Sequence, residues 1–265
     1  MKVCTVLALV FVALSAGSAD KPGFLFDRRK PESKGVRRIV GGTNANIVNY
    51  PYQLSLMRDG RHFCGSSIIA TRWALSAAHC TWPIPPPGAV RLLGGTSDNT
   101  QGGVTFDVDQ IVNHPNYEEQ TIRNDVSVLH TTSAMIGRNV APIPLDSTGA
   151  FHKPGTRAVL SGWGLTENLV TTNILQSVEI PIISTIACKL SLWQENANIY
   201  PDMLCAGELG RAPCSADSGG PLVIDGKQVG IVSWGSLKCL GELPDVFARI
   251  GYPTIRSFIT NITGV

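Results

Sequence analysis

Near its C-terminal end the chain carries the stretch DSGGPLV, Asp217–Val223. The serine in this stretch, Ser218, stands between an aspartate and two glycines. Glycine has no side chain and adopts backbone angles that other residues avoid, so the composition favours a tight turn with open access to the serine. The stretch therefore predicts a nucleophilic serine on a turn, although the motif alone is only moderately specific.

Two motifs upstream contain the partners that such a serine needs. Ala77–Cys80 reads AAHC and contains His79, and Asp125 follows an asparagine in the segment NDV. A serine hydroxyl is a weak nucleophile until a base removes its proton, and a histidine held by a carboxylate is a common base. The order histidine, aspartate, serine is one of the known chain orders of such triads. A purely structural role for each residue is the alternative.

With these three motifs, the chain resembles the chymotrypsin/trypsin family of secreted serine endopeptidases, in particular digestive members from arthropods. The resemblance implies that Ser218 attacks the peptide carbonyl, His79 transfers the proton and Asp125 orients the imidazole. It also implies that the backbone N–H groups of Ala216 and Ser218 form the oxyanion hole. The family usually has glycine where this chain has Ala216, so the methyl is expected either to strain the loop or only to tune activity.

The same resemblance locates a substrate pocket. Ser233 and Trp234 would bind the substrate backbone, Ser233 would also bond Asp125, and Gly235 would leave the pocket mouth open. Trypsins have an aspartate six residues before the nucleophile, where this chain has the neutral Ala212.

Instead, Asp245 stands on the back wall of the implied pocket, where the family usually has glycine. This placement resembles the brachyurins, the broadly specific collagenolytic enzymes of crustaceans. We expect broad or chymotrypsin-like specificity. Trypsin-like selection of Arg and Lys through Asp245 is the alternative, as is an Asp245 that points away or is neutralised by a neighbour.

The first 38 residues differ from the rest in composition. Residues 1–19 have a charged start, an apolar run and small residues at the end, which predicts a secretory signal peptide rather than a membrane anchor. Residues 20–38 are basic and end at Arg38, before Ile39. This junction resembles a zymogen activation site, cut by a trypsin-like protease, and the new amine of Ile39 would then pair with Asp217.

Cysteine usage agrees with an oxidising compartment. Of seven cysteines, Cys4 lies in the signal segment and six remain, an even number that favours disulfides. Spacing alone cannot choose among the possible pairings. The chain has no Cys-x-x-Cys spacing, so a zinc site is not expected. The resemblance implies the pairs Cys64–Cys80, Cys188–Cys205 and Cys214–Cys239.

Charge limits the range of partners. The whole chain has a net charge of +2, but residues 39–265 have 14 basic and 17 acidic residues, a net charge of −3. Nothing in this balance points to nucleic acid or anionic membranes. We expect no cofactor and no metal, since Gly94–Val104, which matches the calcium loop of trypsins, holds only one acidic residue, Asp98.

The protease region, residues 39–265, reads as all-β, with short apolar and β-branched runs between turn signals. The resemblance selects two six-stranded antiparallel barrels, the first running to about Leu145, with the cleft between them. Only the C-terminus is predicted to be helical, from Pro253 to Thr260. A glycosylation sequon begins there at Asn261.

Together these features predict a secreted zymogen of a serine endopeptidase, most simply a digestive one because no regulatory module is visible. We expect a monomer that acts on proteins and peptides, is activated by a trypsin-like protease and is restrained by protein protease inhibitors. A cascade protease is an alternative role. A weak or inactive homologue that acts as a binding protein is the alternative function, motivated by Ala216.

Overall fold

The computed structural model describes residues 41–86, 88–165, 172–236 and 239–265. Within these ranges the chain forms short strands and a few helices. The strands are β1 Thr43–Asn44, β2 Gln53–Arg58, β3 Arg61–Ala70, β4 Trp73–Ser76, β5 Val90–Gly94, β6 Val104–Asn113, β7 Ser127–Thr131, β8 Arg157–Gly162, β9 Gln176–Ile183, β10 Met203–Ala206, β11 Pro221–Ile224, β12 Lys227–Trp234 and β13 Asp245–Arg249. The α-helices are α1 Ala78–Thr81, α2 Thr185–Ser191 and α3 Pro253–Thr263.

The strands close into two antiparallel barrels, which confirms the predicted fold. The first barrel has the strand order β2-β3-β4-β7-β6-β5, and β5 closes it by pairing with β2. The second has the order β9-β10-β13-β12-β11-β8, closed by pairing between β8 and β9, while β1 adds to β9 from outside. Each barrel thus has six strands, and barrel closure leaves few exposed edges.

Apolar side chains fill each barrel because alternate residues of a strand point inward. The core of the first barrel includes the fully buried residues Leu54, Leu75 and Phe106. The core of the second barrel includes Leu160 and Phe247. Each such side chain contributes about 1.5–3 kcal/mol through its burial.

Buried polar bonds join one barrel to the other. Ser161 Oγ of β8 donates to Gln53 Oε1 of β2 at 2.6 Å, and Ser67 Oγ of β3 donates to Gln228 Oε1 of β12 at 2.7 Å. These four side chains are essentially unexposed. Buried polar groups are stable only when paired, so these contacts fix how the barrels meet.

Helix α3 confirms the predicted C-terminal helix and extends it to Thr263, where Gly264 in the left-handed conformation ends it. The prediction that only this segment is helical was wrong, because α1 and α2 are helical too. Helix α2 had a readable start signal, since the Ser184 hydroxyl caps it by accepting from the Ala187 N–H. None of the helices among the described residues is long and apolar enough to cross a membrane.

The six cysteines of the described chain form three disulfides, Cys64–Cys80, Cys188–Cys205 and Cys214–Cys239. These are the pairs that the resemblance implies. The first ties β3 to α1, and the second ties α2 to β10. Helix α1 is only four residues long, so the disulfide next to His79 is a main tether of that short helix.

Candidate active site

Ser218 lies on a tight turn that leads into β11. The Gly220 N–H donates to the Asp217 carbonyl at 2.9 Å, and the Gly65 N–H of the first barrel donates to the Ser218 carbonyl at 2.7 Å. Gly219 has φ +80°, and a Cβ there would collide with the Gly65 carbonyl. The glycines therefore allow the turn to pack closely against the first barrel. Ser218 lies at the junction of the two barrels.

His79 and Asp125 meet in the same junction. His79 Nδ1 lies 2.8 Å from Asp125 Oδ2, and the His79 backbone N–H donates to Asp125 Oδ1, also at 2.8 Å. Ser233 Oγ, from β12 of the second barrel, donates to Asp125 Oδ2 at 2.6 Å. The Asp125 carboxylate is buried and accepts from three donors, so its position is strongly determined.

The imidazole of His79 is poised to act as a base. Burial disfavours its charged form, but the charge of Asp125 and the hydrogen bond to it outweigh burial and raise the pKa of His79 above 6.5. Among the described residues, the Ser218 hydroxyl forms no hydrogen bond with this imidazole. Catalytic hydrogen bonds are often long before a substrate binds.

Two backbone N–H groups beside Ser218 are oriented by their neighbouring carbonyls. The Ser215 carbonyl accepts from the Leu165 N–H at 2.8 Å, and the Asp217 carbonyl accepts from Gly220. In a trans peptide the N–H points away from the carbonyl. The N–H groups of Ala216 and Ser218 therefore point away from these bonds, and neither donates a hydrogen bond within the described part of the chain.

Ala216 adopts φ +72°, the left-handed conformation. This conformation costs a residue with a Cβ about 1–2 kcal/mol. The sequence expectation that the methyl could strain the loop therefore has a physical basis. Ala216 also borders a second cavity of about 580 Å³, which His62 and Trp163 line as well.

His62 supports the same loop and was not identified from the sequence. Its Nε2 lies 3.0 Å from the Ala216 carbonyl, and its Nδ1 lies 2.8 Å from Ser55 Oγ. Burial lowers the pKa of His62 to about 4, so the ring is neutral at physiological pH. A carbonyl only accepts, so the single ring proton is on Nε2 and Ser55 donates to Nδ1.

A cavity of about 220 Å³ opens beside Ser218. Its lining includes Ser233, Trp234, Gly235 and Asp245, which the sequence predicted as substrate-binding residues. Ala212 is buried and is not part of the lining.

The carboxyl group of Asp245 is the one acidic group in the described lining of this cavity. Asp245 is 3% exposed, and its Oδ2 has no hydrogen-bond partner among the described residues. A Cβ at Gly235 would collide with its Oδ1. Burial, with a further contribution from the charge of Asp217, raises the pKa of Asp245 to about 8. The cavity therefore presents a carboxyl group that is mostly protonated at pH 7.

Asp217 is a second buried carboxyl group. Its oxygens accept from the backbone N–H groups of Gly164 at 2.9 Å and Cys214 at 3.0 Å. Burial raises its pKa to about 7 in spite of these bonds. Arg38 and Ile39, the predicted activation residues, lie outside the described residues, as do the predicted signal segment and the rest of the activation segment.

Metal ligands are sparse in the part of the chain that the structure describes. The one candidate group is Cys64, His79 and Cys80, and both sulfurs belong to the disulfide. The carboxylate of Asp98 instead accepts from Thr100 and Gln101 in its own turn. Asn261, of the predicted sequon, lies exposed on α3.

The chain is similar in sequence to known proteins over most of its length. A family model described as Trypsin matches residues 39–258. Trypsin beta of Drosophila erecta is 35% identical over 260 residues, which cover 97% of this chain and 98% of that protein. Trypsin of Simulium vittatum is 38% identical over 222 residues, which cover 79% of this chain and 87% of that protein. The match to the family model spans His79, Asp125 and Ser218 and all the residues that line the cavity beside Ser218.

Proposed function

The chain belongs to the trypsin family and is a serine endopeptidase, and from this premise we propose that His79, Asp125 and Ser218 are its catalytic triad. The observation that carries the proposal is the buried Asp125 carboxylate, which binds both the ring and the backbone of His79. That arrangement selects the tautomer in which Nδ1 carries the ring proton and Nε2 is left able to accept a proton from a hydroxyl nucleophile.

In this mechanism Ser218 Oγ attacks the peptide carbonyl carbon while His79 Nε2 takes the hydroxyl proton. The resulting oxyanion accepts hydrogen bonds from the N–H groups of Ala216 and Ser218. The C–N bond then breaks, and His79 returns the proton to the leaving amine. Water repeats the sequence on the acyl-enzyme and frees Ser218. Ser218→Ala and His79→Ala variants should each lose at least about 10³-fold in kcat with folding intact.

We propose broad specificity before the scissile bond, covering large apolar side chains as well as Arg and Lys. The cavity wall is mostly apolar apart from its serines, and its one carboxyl group, Asp245, changes between neutral and charged near pH 8. The runner-up is a trypsin-like enzyme in which Asp245 is the main anchor for Arg and Lys. Peptides that differ only in that residue, Arg, Lys, Phe, Leu or Ala, distinguish the two through kcat/KM.

We further propose that the chain is made as a zymogen, cut after Arg38. The new ammonium of Ile39 would neutralise the buried Asp217 and order the loop that carries Ala216. Breaking a buried ion pair costs about 3–5 kcal/mol, so an uncut chain is expected to be inactive. Replacing Arg38 with Gln should block activation by trypsin, and a fully active uncut protein would contradict this step.

The physiological role proposed is digestion after secretion, with dietary proteins as substrates and protein protease inhibitors as regulators. Members of the trypsin family act on proteins and are regulated by such inhibitors. Transcript and protein levels in gut compared with circulating fluid test the role. Enrichment in circulating fluid would favour a processing cascade.

A further inference from the structure

Asp202 is a buried aspartate that the proposed chemistry does not use. It lies one residue before β10 and is 1% exposed. Its Oδ2 accepts from the Asn124 backbone N–H at 2.7 Å, and its Oδ1 lies 3.4 Å from Arg123 Nε. Both partners belong to the segment that immediately precedes Asp125, so this carboxylate binds the loop that delivers the candidate catalytic aspartate.

That loop needs an external support. Ile122 has φ +54° and Asn124 has φ +50°, and the first is a β-branched residue for which this conformation is a clear outlier. Such backbone conformations cost about 1–3 kcal/mol each and persist only where the surroundings determine them. The Asn124 side chain donates to the Asn116 carbonyl at 2.9 Å, which holds the loop from within its own barrel. Asp202 holds it from the other barrel.

Asp202 is itself anchored in the second barrel. Its carbonyl accepts from the Arg249 N–H at 2.8 Å, at the end of β13. The guanidinium of Arg123 also lies over the Tyr200 ring, 4.7 Å from its centre, which orients the cation beside Asp202. Together with Ser233, Asp202 therefore ties the segment around Asp125 to the second barrel.

We propose that Asp202 is a positioning residue that fixes Asp125 against His79 across the junction of the two barrels. The proposal rests on the triad proposed above. Removing the Asp202 carboxylate leaves the buried Asn124 N–H, next to Asp125, without its acceptor, and takes away the support that the second barrel gives to a loop with two strained residues. A displacement of about 1 Å in a catalytic group can lower the rate about 100-fold.

The test compares Asp202→Ala and Asp202→Asn with Asp146→Ala as a matched control. Asp146 is also buried and also accepts a loop N–H, from Thr148 at 3.1 Å, but its loop carries none of the three proposed triad residues. Each protein is expressed from residue 20, cut after Arg38, and assayed with one peptide for kcat, KM and the pH profile of kcat/KM. Thermal unfolding is measured alongside.

For Asp202→Ala we expect kcat to fall at least about tenfold with KM within about twofold. The acid limb of the profile should move to lower pH, because a displaced Asp125 supports the protonated form of His79 less well. The charge of Asp202 also acts on His114, but burial lowers the pKa of that histidine, so it does not account for a limb set by His79. Asp146→Ala should lose stability without moving either kcat or the limb.

Asp202→Asn keeps an oxygen for the Asn124 N–H but loses the charge beside Arg123, so an intermediate fall in kcat is expected. It decides the question if Asp202→Ala does not fold. A folded Asp202→Ala, or failing that Asp202→Asn, with the wild-type kcat and acid limb would overturn the proposal. Asp125→Asn is measured in parallel. If Asp125→Asn is fully active, the proposed triad is wrong. If Asp125→Asn is impaired while the Asp202 variants are unaffected, only the positioning role is rejected.

Discussion

Replacing Asp245 with Asn should abolish a pH-dependent preference for cationic side chains. The substitution removes the charge and nearly keeps the shape of the group that lines the cavity beside Ser218. Burial raises the pKa of this carboxyl to about 8, so its charge appears as pH rises through that value. Cleavage after Arg, relative to Phe, should therefore increase between pH 6 and pH 9 in the wild-type enzyme.

The magnitude follows from the environment of Asp245. Two unit charges about 4 Å apart attract by about 4 kcal/mol at an effective dielectric constant of about 20. At pH 7 the carboxyl must first lose its proton, which costs about 1 kcal/mol when its pKa is about 8. The remainder, about 3 kcal/mol, corresponds to a gain on the order of 100-fold for Arg at pH 7, measured against Asp245→Asn, and the gain rises toward about 1000-fold above pH 9. This gain offsets the cost of burying a cation in a mostly apolar cavity, so Arg competes with large apolar side chains rather than excluding them.

The assay is the ratio of kcat/KM for two peptides that differ only in Arg or Phe before the scissile bond, measured from pH 6 to pH 9. Protonation of His79 affects both peptides equally and cancels in the ratio. Asp225→Asn is the matched control, because Asp225 lies exposed on the turn between β11 and β12. A wild-type ratio that does not change with pH, or an Asp245→Asn ratio that matches wild type, would refute the reasoning.

Three further predictions concern the loop that bears Ala216. The proposed pairing with Asp217 would raise the pKa of the Ile39 amine above its usual value of about 8, so the activity of the cut enzyme should fall at high pH as the ion pair is lost above that folded-state pKa. Carbamylation of that amine should abolish activity, and a carbamylated enzyme with full activity would reject the pairing. Ala216→Gly should raise kcat by relieving the left-handed strain, and an unchanged or lower kcat in single-turnover measurements counts against this. His62→Ala should lower kcat about tenfold, because the Ala216 carbonyl loses its hydrogen bond. The acid limb of the pH profile should stay in place, because His62 is already neutral in that pH range. A shifted limb would mean that protonation of His62 affects the rate.

Much of the fold could be predicted because the motifs around His79, Asp125 and Ser218 are specific in combination. The two barrels, the disulfide pairs and the cavity beside Ser218 could then be inferred from the resemblance of these motifs to one family. Helix α2 escaped prediction because its only strong local signal is the Ser184 cap, and short helices depend on packing more than on propensity.

The supporting residues were beyond sequence reasoning for another reason. His62 and Asp202 act through contacts with residues far away in the chain, at positions 216 and 124, and nothing in their local sequence marks them. The state of Asp245 likewise depends on burial and on Asp217, which only the folded arrangement brings near it. The sequence could name the carboxyl group but could not determine its pKa.

The central claim is that Ser218, activated by His79 and Asp125, is the nucleophile. The most direct measurement is labelling of the protein cut after Arg38 with a serine-reactive phosphonate, followed by peptide mapping and counting of the label. The account predicts one label per molecule on Ser218, no label in Ser218→Ala, and labelling slowed at least about 10³-fold in His79→Ala. Peptide-cleaving protein that is labelled on another serine, or labelled equally fast without His79, would contradict it.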